Sequence, residues 1–129
     1  MNHLIVVDAD FLSSFLKIGR LYLIPQFYQV ENVVIAPAVY REVALTRLVS
    51  NLSAHMWVQI QAPILTAIEQ LRAHAEYNQL GAGEQESIAL SLHVRDATLL
   101  CSDNRARRFA RNVGVQVANI AAFLLACKI

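Results

Sequence analysis

The chain has 129 residues and a net charge of +1, with 56% hydrophobic and 16% charged residues. Such a length suits a single domain over residues 1–129 with one hydrophobic core, and the composition is too apolar for a disordered chain. The net charge is too small to demand a nucleic-acid partner by itself.

His3 to Val7 reads as a first strand, and its short LIVV run is followed at once by Asp8, so neither a secretory signal nor a membrane anchor is expected there. A cytoplasmic location is the expectation. Asp10 to Ile18 reads as a helix closed by Gly19, because glycine takes the left-handed conformation that ends helices. A short helical stretch is expected over Arg20 to Gln29, then a strand over Val33 to Ala36. Pro37 suits the first position of the next helix, where its missing amide hydrogen costs nothing. The run from Leu48 to Ile68 has no Asp, Glu, Lys or Arg, but it holds Asn51, His55, Gln59, Gln61 and Pro63, which argues against a membrane span. Trp57 to Gln61 is predicted as a third strand and Pro63 to about Asn78 as one helix. Gly83 is expected to open the helix carrying Glu84 and Glu86. Thr98 to Ser102 and Val115 to Val117 complete the strands, each followed by a helix, the last from Asn119 to about Ala126. Strands alternating with helices predict an α/β fold, a three-layer α/β/α sandwich on a mainly parallel sheet.

Four acids stand at the ends of these segments: Asp8, Glu42, Glu86 and Asp103. In open parallel sheets the carboxyl ends of the strands carry the site, so a fold of this kind can bring them together. Each also has a structural explanation. Asp8 or Asp10 can cap the first helix, and the pair, taken as extended, would point to one side. Glu42 falls between Ala38, Val39, Leu45, Thr46 and Val49 on a helix from Pro37, where a carboxylate interrupts an apolar stripe. Glu84 and Glu86 both suit the positive first turn of a helix; Glu86, beside Ala89 and Leu90, is expected to turn further inwards. Asp103 or Asn104 can cap the helix after the fourth strand.

The segments VVDADFLSSFLKIGRL, IAPAVYREV, LGAGEQESIALSL and LLCSDNRARRFARNVGVQV resemble, in order and spacing, the conserved blocks of PIN-domain ribonucleases. That resemblance implies a PIN-like fold cutting RNA with Mg²⁺ or Mn²⁺, held by Asp8, Glu42, Glu86 and Asp103. Asp10 stands where many relatives have Ser, Thr or Asn, and Asn104 where many have a second acid, which assigns both to the outer shell of the metal. The size resembles the ribonuclease toxins of toxin–antitoxin pairs, which implies an antitoxin protein as partner. A homodimer is also implied, in keeping with a first helix made apolar on several sides by Phe11, Leu12, Phe15, Leu16 and Ile18.

Hard oxygen ligands suit magnesium or manganese, and neither Cys nor His is required. Cys101 and Cys127 lack metal-ligand spacing, and His3, His55, His74 and His93 are dispersed, so all are expected to be structural or exposed. Arg105, Arg107 and Arg108 follow Asp103 and form either a solvated basic face or contacts to RNA phosphates. Two other readings stay open. One is a catalytically degenerate PIN-like module that binds RNA or protein. The other is a haloacid-dehalogenase-like phosphatase, from the DADFL segment, although Leu12 stands where that signature has a small hydroxyl residue.

Overall fold

Five short strands, each parallel to its neighbours, form the central layer of the computed structural model, which describes residues 3–127. They are β1 (Leu4–Val7), β2 (Val33–Ile35), β3 (Val58–Ile60), β4 (Ala97–Leu100) and β5 (Gln116–Ala118), in the spatial order β3-β2-β1-β4-β5. Strands β1, β2 and β4 are almost continuously apolar and buried because helices cover both faces of a parallel sheet. Strand β3 lies at an edge, and Gln59 and Ile60 are exposed there.

The chain runs outward from β1 to β3 and then returns past β1 to build β4 and β5. The direction of winding therefore reverses between β1 and β4, the place where open α/β sheets leave a crevice at the strand carboxyl ends. Pairing continues to that edge: Val7 is in register with Leu100, and the Asp8 amide donates to the Leu100 carbonyl at 2.9 Å.

The helices are α1 (Ala9–Lys17), α2 (Leu23–Tyr28), α3 (Pro37–Ala44), α4 (Val49–Ser53), α5 (Leu65–Arg72), α6 (Ala75–Asn78), α7 (Ala82–Ser91), α8 (Asn104–Asn112) and α9 (Ile120–Cys127). The predicted α/β/α sandwich is the one observed. Gly19 ends the first helical segment with φ +66°, and Pro37 occupies the first turn of α3. Among the described residues no helix is long and apolar enough to cross a membrane.

Local differences have local causes. The helix expected from Pro63 to Asn78 is divided into α5 and α6, because His74 is extended, at φ −98° and ψ 123°. Helix α4 has a mixed sequence, VSNLS, with only Leu52 buried, so it carries no clear periodicity. Helix α7 begins at Ala82 with Gly81 as its cap, one residue earlier than expected from Gly83. The fourth and fifth strands are displaced by one to two residues from their predicted bounds.

Phe11, Leu12, Phe15 and Leu16 are all buried within the chain, so the broad apolar surface of α1 is consumed by the fold, and only Ile18 of that set is exposed. Phe123 of α9 packs on the aromatic part of that surface. Its ring meets Phe11, Phe15 and Phe27 edge-on at centroid distances of 5.7, 5.5 and 5.4 Å, an arrangement that aromatic quadrupoles favour. Phe123→Ala should therefore lower the unfolding free energy by about 3–5 kcal/mol, read from the urea midpoint at constant slope.

Candidate functional site

Asp8 leaves β1 at the reversal point and occupies the cap position of α1, with extended backbone at φ −81° and ψ 165°. Its side chain makes no cap bond to the helix and is only 4% exposed. Oδ2 accepts a hydrogen bond from the Cys101 thiol at 3.5 Å, whereas Oδ1 is buried with no partner. Burial raises the Asp8 pKa from 3.8 to about 6; the Ala9 amide and Cys101 thiol oppose the rise, and the charges of Glu42 and Asp10 add to it. Burial and the neighbouring Asp8 also push the Cys101 thiol upward, so it stays a neutral donor.

Asp103 follows β4, the strand beside β1, and caps α8 by accepting the Ala106 amide on Oδ2 at 2.8 Å. Glu84 lies in the first turn of α7, where its Oε1 accepts the Gly81 amide at 3.0 Å. Its pKa is raised, chiefly by burial and further by the charges of Asp103, Asp8 and Asp10. The acids at the ends of β1 and β4 and at the starts of α1 and α7 thus share one electrostatic environment.

Glu42 is exposed on α3, and its charge reaches Asp8. The helix ends at Ala44, so Val49 belongs to α4 and Leu45 is 89% exposed; the apolar stripe expected around Glu42 is therefore not continuous. Its carboxylate instead lies over Gly83, where an added Cβ would sit 2.7 Å from Glu42 Oε1 and 3.2 Å from Val39 Cγ2. Glycine here permits the close approach of α3 and α7.

Glu86 reaches a different part of the edge. Its Oε1 accepts the Ala38 amide in the first turn of α3 at 2.9 Å, and its Oε2 lies 3.6 Å from Arg41 Nη2. A carboxylate so placed stabilises the positive end of α3. The sequence pattern favours Glu86 as the inward acid and Glu84 as the structural one; in the fold Glu84 lies among the charges of Asp8 and Asp103, while Glu86 reaches α3. The clue available in the sequence was Gly81 as an alternative cap three residues before Glu84.

Asp8 and Asp10 do not point to one side, because the helix begins between them: Asp8 is buried and Asp10 exposed. Asn104 is exposed, and its Oδ1 accepts from Arg107 Nη2. Arg105 and Arg108 are exposed on α8, with Arg105 Nη2 lying 3.5 Å from Gln79 Oε1.

Among the described residues, no three His, Cys, Asp or Glu side chains stand close enough together to hold a metal ion. The charges of Glu42 and Asp10 bear on Asp8, and those of Asp103, Asp8 and Asp10 on Glu84. Their donor chemistry, carboxylate oxygen throughout with one buried oxygen unpartnered, fits a hard divalent cation.

A family model described as a PIN domain matches residues 4–129. No curated protein matches the chain.

Asp8 is more readily protonated in the fold than in the unfolded chain, so its favourable contribution is full below about pH 4 and lost as pH rises through about 6. The change is worth roughly 3 kcal/mol. Urea unfolding in EDTA from pH 4 to 8 should show this decline, and Asp8→Asn should remove it and be more stable than the parent at pH 7.

Proposed function

The chain belongs to the PIN-domain family, and from that premise we propose that it is a divalent-metal-dependent ribonuclease. The observation that carries the proposal is the buried, unpartnered Oδ1 of Asp8 at the β1–β4 reversal, where the charges of Glu42 and Asp10 bear on Asp8 and those of Asp8 and Asp103 bear on Glu84. A carboxylate oxygen without a partner in a nearly dry place is costly unless a positive group meets it.

Asp8, Asp103, Glu84 and Glu42 would hold Mg²⁺ or Mn²⁺. Such an ion supplies Lewis-acid polarisation of a phosphodiester and a lowered pKa for the attacking water. The chain's own residues orient and ionise. The Cys101 thiol fixes Asp8 through Oδ2 and leaves Oδ1 free. Asp103 and Glu84 each give one oxygen to a helix amide, which restrains the carboxylate while its other oxygen stays available. Glu86 anchors α3, the helix that carries Glu42, by way of the Ala38 amide. Asp10 and Asn104 lie outside this group and are exposed, as outer-shell positions would be.

A role as the toxin of a toxin–antitoxin pair, with an antitoxin covering the acidic edge, and assembly as a homodimer belong to the same proposal. They rest on the resemblance of the sequence blocks.

Purified protein incubated with single-stranded and structured RNAs should cleave them with Mn²⁺ or Mg²⁺ and not with EDTA. Asp8→Asn and Glu84→Gln should each lower the rate by about a hundredfold or more, and Glu86→Gln by less, since its carboxylate acts through α3. Cleavage that survives EDTA or Asp8→Asn would overturn the proposal. RNA retained without cleavage would instead mark a binding module.

A further inference from the structure

A cavity of about 300 Å³ opens between α6 and α8. Arg105 and Arg108 line it from one turn of α8, Phe109 and Asn112 continue the same wall, and Glu76 and Gln79 face it from α6 and the residue after it. Arg105 stands two positions beyond Asp103, the cap of α8, so one helix carries both that acid and the basic wall of the cavity.

Its charge is unbalanced. Among the described residues the single ion pair joins Arg41 to Glu86, so neither Arg105 nor Arg108 has a carboxylate within 4.0 Å, even with Glu76 lining the same cavity. The hydrogen bond from Arg105 to Gln79, at 3.5 Å, is at the weak limit and readily exchanged. Arg107 differs: its Nη2 donates to Asn104, and its Nε is buried without a partner.

We propose that this cavity is a nucleotide subsite, in which Arg105 and Arg108 grip a phosphate of single-stranded RNA beside the position of cleavage. The proposal rests on the ribonuclease reading and assigns the path that the substrate takes away from the acids. The volume stands at the lower limit of ligand pockets, as a single nucleotide unit requires. Two guanidinium groups on one helical turn offer forked donors to phosphate oxygens. Glu76 repels the phosphate from the opposite wall and can accept from a 2′-hydroxyl or a base amino group, while the Gln79 and Asn112 amides can both donate and accept. Bases of a single strand, unlike those of a duplex, have edges free for such contacts.

The test is binding, measured without turnover. In EDTA and an Asp8→Asn background, the anisotropy of a labelled single-stranded oligoribonucleotide gives the dissociation constant over a range of salt concentrations. Replacing both Arg105 and Arg108 by Gln should weaken binding at least about tenfold at low salt. It should also make the slope of log K against log salt less negative by about 1.4, two contacts at about 0.7 each. Replacing both by Lys should keep the slope and lose part of the affinity, which separates charge from any disturbance of the fold. Arg95→Gln, ahead of β4 at the opposite edge of the sheet, should change neither quantity. A slope unchanged by the double Gln variant, or RNA that does not bind at all, overturns the subsite. Binding with the expected slopes by a protein that never cleaves RNA would remove the nuclease reading and leave the subsite standing. Cleavage with an unchanged slope would do the reverse.

Discussion

Asp8 is held where water is nearly excluded and only one of its two carboxylate oxygens is satisfied, and the acidic edge is organised around that constraint. The chain has little freedom to relieve it. β1 is the middle strand, paired on both sides, and the Asp8 amide is itself bonded to Leu100, so moving the side chain outward would unpick the centre of the sheet. A carboxylate in this position must take up a proton, find a positive partner, or pay for ionising in a poor solvent.

The surrounding acids are set by contacts that also build the fold. Asp103 and Glu84 satisfy amides at the starts of α8 and α7, while Glu86 does so at the start of α3. Gly83 lets Glu42 lie against α7, so the contact between α3 and α7 determines how near that charge comes to Asp8. A structural bond at these positions leaves room for a chemical role. A bond to a helix amide occupies one oxygen of a carboxylate and restrains the direction of the other.

The alternation of strands and helices, the strand ending at Asp8 and the cap at Asp103 were legible in the sequence because they depend on short apolar runs and on capping chemistry. Less legible were features set by packing. Glu84 and Glu86 lie two positions apart in one turn and so face different ways, and only the packing of α7 decides which shares the field of Asp8 and which reaches α3. An apolar stripe around Glu42 needs the helix to continue through Val49, but the helix stops at Ala44. The apolar breadth of α1 suggested a partner, yet Phe123, more than a hundred residues away, covers it from within the chain. Periodicity reports that a face will be covered and is silent on what covers it.

The raised pKa of Asp8 makes it a proton store. In mildly acidic solution, near pH 6, roughly half of the molecules hold hydrogen on that carboxyl group. Any cation seated against Oδ1 must eject it, so loading would acidify a weakly buffered sample, and the grip on the cation would slacken as the medium sours.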